Sequence, residues 1–294
     1  MAFTMLLVAG PACDASTTAT PGTIQVVTAF YPLEEAVEAV GGDRVSVTDL
    51  TPPGVEPHDL ELTPSQIGAI ADADLVFYLG GGFQPAVQDA VAESQGRAVD
   101  VSAELRTLPV PSGDTDPSLT ADPHVWLDPV LYGRIVDEVA RALAGASPAD
   151  ASAFGSNAEA FDRRLANLDA AYRSGLARCA RDVIVTSHAA FGYLAARYGL
   201  RQEAIAGLSP DVEPSPQRLD ELRALIERDG ITTIFTEELL PPDVADTIAT
   251  ATGATTAVLN PLESLTPDEV ASGADYDSVM RGNLAELRRA LGCS

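Results

Sequence analysis

The 294-residue sequence contains three histidines, and each falls where a strand-like run gives way to a helical one. His58 lies in TPPGVEPHDLELTP, His124 in ADPHVWLDP and His188 in VIVTSHAAFGYL. Neutral imidazole is a common zinc donor, and open α/β sheets bind ligands outside the carboxyl ends of their strands. Three imidazoles at equivalent places, with none left over elsewhere, point to one metal site rather than to three unrelated surface residues. A tetrahedral ion needs a fourth donor. The corresponding end of the last strand-like run, VLNPLESL, offers Glu263. Glu237, in IFTEELL, is the rival carboxylate; its alternative role is to cap the helix beginning near Pro242.

Three imidazoles and one carboxylate suit Zn²⁺, whereas Mn²⁺ prefers more oxygen and ranks below zinc in affinity at nitrogen-rich sites. Four protein donors leave no position for an activated water, the mark of a site that binds rather than catalyses. A zinc hydrolase is the competing class, with Glu263 or Glu237 as general base. It lacks support from any His-Glu-x-x-His motif or dense His/Asp cluster. Leu79-Gly80-Gly81-Gly82 does not match a dinucleotide fingerprint, and the absence of lysine excludes a Walker lysine.

The elements that would carry these side chains alternate regularly. Strand-like runs start at Ile24, Arg44, Leu75, Ala98, Asp182, Glu203, Thr232 and Thr256, and most are followed by a helical pattern. Such alternation argues for parallel sheets, one in each half of the chain. Between them, Ser147 to about Ala180 shows no strand signal, and Phe154, Phe161, Leu165, Leu168 and Tyr172 recur at helical spacing. Some 30 helical residues would span about 45 Å, enough for a spine between two lobes. The expected organisation is a leader and tether over 1–22, an α/β lobe over 23–146, a linking helix over 147–181 and a second α/β lobe over 182–294.

Composition narrows the partners. All 18 basic residues are arginines, against 43 acidic residues, for a net charge of −25. Nucleic-acid affinity rests on clustered basic side chains that release counterions, so a nucleic-acid partner is excluded. No apolar stretch of about 20 residues is present to span a bilayer as a helix. The first ten residues, MAFTMLLVAG, form a short apolar run, followed by Pro11, Ala12, Cys13 and a Ser/Thr-rich stretch. This order reads as an export signal with Cys13 as a lipidated membrane anchor. Cys179 and Cys293 then remain, and in an exported protein their pairing is expected, with two free thiols as the alternative.

The segments GVEPHDLELTP, DPHVWLDP, VTSHAAFGYLAARYGL, FTEELL and VLNPLESLTPDE, with the tail DYDSVMRGNLAELRRAL, resemble the zinc/manganese substrate-binding lipoproteins of bacterial ABC importers. The resemblance extends from about Ile24 to the end. It implies two α/β lobes joined by one rigid long helix, with a metal site in the cleft formed by His58, His124, His188 and Glu263. It further implies a monomeric extracytoplasmic receptor, anchored through Cys13, that hands Zn²⁺ to a membrane permease. The LNPLESLT segment matches the zinc-type branch, which includes adhesin lipoproteins; a manganese receptor is the alternative within the family. Zinc-type members often carry a His-rich loop before the second histidine, but here Pro111–Asp122 contains aspartates and no histidine.

Overall fold

The computed structural model describes residues 22–93, 97–111, 114 and 116–294. Cys13 and the apolar N-terminal run lie outside the described residues. The first half contains β1 (Ile24–Thr28), α1 (Tyr31–Gly41), β2 (Val45–Asp49), α2 (Pro64–Asp72), β3 (Leu75–Tyr78), α3 (Pro85–Glu93), β4 (Arg97–Asp100) and α4 (Pro129–Ala146). The helix α5 (Ala151–Gly175) leads into β5 (Val183–Thr186), α6 (Gly192–Tyr198), β6 (Arg201–Ala204), α7 (Pro216–Asp229), β7 (Thr233–Thr236), α8 (Asp243–Thr252), β8 (Thr255–Val258), α9 (Pro267–Ser272) and α10 (Tyr276–Leu291).

Both sheets are parallel, and they share one plan, β2-β1-β3-β4 and β6-β5-β7-β8. The central strands read VIVT, LVFY and TIFT, the apolar, mostly β-branched or aromatic runs expected of strands covered on both faces. The helices start where the sequence provides caps. Thr63 and Gln66 form a capping box ahead of α2, and Asp128 accepts from Val130 and Leu131 N–H at the start of α4. In each case a proline at the first helical position gives up an N–H that would be unpaired anyway.

The linking helix is shorter than its sequence pattern. Pro148–Asp150 forms a 3₁₀ turn, closed by a 2.7 Å hydrogen bond from Ser147 Oγ to Asp150. The helix proper covers 25 residues, about 37 Å. It ends at Gly175, where a β-carbon would come within 3.2 Å of Leu284 in α10. All five apolar residues picked out by spacing are buried. They pack α5 between α1 and α4 on one side and α10 on the other.

One continuous apolar core therefore runs through both halves, including Leu33, Phe77, Trp126, Phe161, Tyr172, Leu194, Phe235 and Leu287. A smaller cluster of Val183, Val185, Leu222, Ile226 and Ile248 supports the second sheet. Asp128, besides capping α4, forms an ion pair with Arg197 of α6 and so ties the two halves together. Cys179, just past α5, forms a disulfide with Cys293, just past α10, with Cα atoms 3.8 Å apart.

Candidate metal centre

The carboxyl ends of the two sheets face each other, and the loops leaving them carry the chemistry. His58 lies in the loop after β2, His124 in the long connection after β4, His188 directly after β5 and Glu263 after β8. The structure brings all four together, each buried, with one donor atom apiece inside a sphere where no pair is more than 4.8 Å apart. Glu263 Oε1 is the focus. It lies 3.1 Å from His124 Nε2, 3.1 Å from His188 Nε2 and 3.5 Å from His58 Nε2. The Nε2 atoms of His124 and His188 are 3.4 Å apart. Four-coordinate zinc, with bonds near 2.0–2.1 Å, places its donor atoms about 3.3 Å from one another. The four separations of 3.1–3.5 Å match that spacing, and His58 completes the group within 4.8 Å of the other imidazoles.

The far side of each ring explains why Nε2 faces inward. Asp122 Oδ1 accepts from His124 Nδ1 at 2.9 Å and from the His124 backbone N–H at 3.0 Å. Glu237 Oε1 accepts from His188 Nδ1 at 2.7 Å. A carboxylate can only accept, so Nδ1 holds a proton, and once Nε2 gives up its own the lone pair faces the site. Glu237 thus sits behind His188 and does not serve as a cap, since α8 begins at Asp243 and its N-cap position, Pro242, has no side-chain cap. In the sequence Asp122 stands as one of several loop aspartates. Its signal was its place two residues before a histidine, where a side-chain turn can reach both N–H groups.

Electrostatics follow from this crowding. Burial disfavours the imidazolium at His124 and His188, but the carboxylates outweigh it: Asp122 and Glu263 raise His124, and Glu237 and Glu263 raise His188 well above the ordinary range. At His58 burial outweighs Glu263, the one group that raises it, so His58 is lowered. Its Nε2 finds no hydrogen-bond partner among the protein atoms. Burial pushes Glu263 upward, yet the surrounding imidazoles hold it well below the usual carboxylate range. Beside them, burial and the Glu263 charge raise Glu56 to about 9.

The Glu263 loop is a built turn. Leu262 is the one non-glycine with positive φ, 58°, among the described residues. Asn260 Oδ1 accepts from Leu262 N–H at 2.7 Å, while Asn283 of α10 grips the Asn260 backbone at both N–H and C=O. Gly54 N–H, in the His58 loop, donates to the Leu265 carbonyl at 2.8 Å and to Ser264 Oγ at 3.2 Å. Apolar rings wall the site: Phe83 lies edge-on to His58 at 4.7 Å and Trp126 lies 5.2 Å from His124.

The family model described as "Zinc-uptake complex component A periplasmic" matches residues 26–290. The zinc-binding lipoprotein AdcA of Streptococcus pneumoniae is 37% identical over 279 residues, covering 91% of this chain and 56% of the relative. The high-affinity zinc uptake system protein ZnuA of Bacillus subtilis is 36% identical over 280 residues, covering 91% and 88%. Among solved structures, Zn(II)-bound AdcA from Streptococcus pneumoniae is similar with a TM-score of 0.80 at 36% identity, over 92% of this chain and 58% of that one. The chain spans about half the length of AdcA and most of the Bacillus protein.

Proposed function

The chain belongs to the periplasmic zinc-uptake component A family, and from that premise we propose that it is the extracytoplasmic receptor of a zinc ABC importer. It takes one Zn²⁺ as cargo on His58, His124, His188 and Glu263 and delivers it to a membrane permease. One observation carries the reading: three Nε2 atoms and a carboxylate oxygen, all buried, converge with no protein donor among them to balance their lone pairs once the rings are neutral. Such a cluster of acceptors calls for a cation, and its nitrogen-rich composition selects zinc over manganese.

The hydrolase reading loses its general base. Glu237 is engaged at Nδ1 of His188, on the side of the ring away from the donor cluster, and Glu263 is itself one of the four donors. The protein acts as a monomer and is held at the membrane through lipidated Cys13, the anchor being supported by the export-like N-terminal run and by the naming of AdcA as a lipoprotein. The domain limits stay as the sequence suggests, with the cargo between residues of 23–146 and 182–294.

Elemental analysis and chelator competition on the purified chain test the assignment. The expected result is one tightly held zinc per chain, outcompeting manganese, and a large loss of affinity on alanine substitution at each of the four donors. Failure to take up zinc overturns the reading. Retention of tight binding in Glu263→Ala, together with zinc-dependent hydrolysis by the wild type, replaces it with the enzyme.

A further inference from the structure

Resting on the receptor reading above, we propose that Tyr193 is a positioning residue for the metal site, acting from the second half of the chain through Asp122 to fix the His124 ring. Tyr193 is the second residue of α6, and its ring is buried. The other fully buried tyrosines, Tyr132, Tyr172 and Tyr276, each donate their hydroxyl to one carbonyl. Tyr193 does more. Its hydroxyl donates to the Asp122 carbonyl at 2.8 Å and accepts from Leu108 N–H at 2.7 Å.

Those two residues are already paired, because Asp122 N–H donates to the Leu108 carbonyl at 3.0 Å. The hydroxyl therefore closes a ring of three hydrogen bonds that pinches together the two ends of the 108–122 segment. That segment comes from the first half of the chain, and its pinched end holds the carboxylate that fixes His124. The same segment is held again near its middle, where Leu208 N–H donates to Asp114 Oδ2 at 2.6 Å.

The residue beside Tyr193 shows how closely the carboxylate is seated. A β-carbon on Gly192 would lie 2.8 Å from Asp122 Oδ2, nearer than real β-carbons come. The backbone of α6 and the hydroxyl thus hold Asp122 from two directions. Without the hydroxyl, the Asp122 carbonyl and Leu108 N–H lose a buried partner, and the carboxylate gains freedom to leave the His124 Nδ1 axis. Binding geometry is sensitive to displacements of about half an ångström.

Tyr193→Phe keeps the ring and removes only the hydroxyl. Zinc affinity and dissociation rate are measured by chelator competition, alongside the visible spectrum of the Co²⁺-loaded protein and the melting temperature of the metal-free one. Outer partners of metal-bound histidines usually control affinity by 10–100-fold, so Asp122→Asn is expected in that range and Tyr193→Phe lower, roughly 3–10-fold, with a shifted Co²⁺ ligand-field band. The double variant binds zinc no more weakly than Asp122→Asn alone, because the hydroxyl acts through that carboxylate. Gly192→Ala, which keeps the hydroxyl but crowds the carboxylate, gives the same signature and serves if Tyr193→Phe does not fold. Multiplying losses in the double variant overturn the proposal. So does a Tyr193→Phe protein, or failing that a Gly192→Ala protein, with wild-type zinc affinity and Co²⁺ spectrum and only a lower melting temperature. A wild type that takes up no zinc overturns the receptor reading, and this proposal with it, before any variant is compared.

Discussion

The indole N–H of Trp126 donates to the carbonyl oxygen of Pro261 at 2.8 Å. Trp126 follows His124 by two residues and Pro261 precedes Glu263 by two, so one hydrogen bond joins the backbones that present two of the four clustered side chains. Tyr276 adds a second tie by donating its hydroxyl to the Trp126 carbonyl at 2.6 Å.

Trp126→Phe removes that N–H, leaves a buried carbonyl unpaired and opens a small void. The expected destabilisation is about 1–3 kcal/mol, with zinc bound more weakly because His124 and Glu263 are no longer held in register. Denaturant unfolding and chelator competition on the same preparation check both. Unchanged affinity in a clearly destabilised variant would show that the tie serves folding alone.

Glu237→Gln keeps an acceptor for His188 Nδ1 but removes the charge behind the ring. Zinc affinity should fall by roughly 10-fold or more, in the range seen for outer partners of metal-bound histidines. Isothermal titration against a competing chelator measures it, and wild-type affinity would assign Glu237 no part in the site.

Glu34 gives a pH dependence independent of the metal. Burial, then the charges of Glu38 and Glu35, raise it from 4.5 to about 7. The folded state therefore holds a proton that the unfolded chain has already lost in this window, so stability falls as pH rises from about 4.5 to 7 and then levels off. Glu34→Gln should melt higher than the wild type at about pH 8, and the gap should close toward pH 4.5. Melting curves of the metal-free proteins across that range test it; a gap that is constant with pH counts against the assignment.

The Cys179–Cys293 disulfide closes a loop across 114 positions. In the chain-entropy model its loss removes roughly 4–5 kcal/mol of stability. Paired Cys179→Ser and Cys293→Ser substitutions should lower the denaturation midpoint accordingly while leaving zinc affinity nearly unchanged, since the bond joins the ends of α5 and α10 rather than the site loops. A midpoint equal to that of the wild type would contradict this.

The fold and the meeting of the four side chains were legible for related reasons. Buried parallel strands such as VIVT and TIFT announce themselves by apolar β-branched runs; His188 stands just beyond one, whereas His58, His124 and Glu263 lie further along the loops that leave β2, β4 and β8. The choice between Glu237 and Glu263 was open, because both follow a strand at the same edge and only the packing tells which side of His188 each one meets. Tyr193 was invisible for a like reason: its hydroxyl acts on Leu108 and Asp122, far away in sequence. The helix Pro267–Ser272 went unread despite the Thr266–Glu269 capping box, as six residues are too few to show a period. The edge strand Arg201–Ala204 came earlier than its apolar signal near Ile205, since an exposed edge does not demand apolar residues on both faces.

The single apolar core that passes from one half to the other has a consequence for signalling. Swinging the halves apart would expose Trp126, Phe161, Tyr172 and their neighbours to water, at about 25 cal/mol for each square ångström uncovered. An ion entering or leaving the four-residue cluster would therefore leave the outline of the molecule nearly unchanged. A transporter that told such states apart would have to read something finer than outline: the local surroundings of the buried His58, His124, His188 and Glu263, where an entering divalent ion displaces the protons that the neighbouring carboxylates hold on His124 and His188.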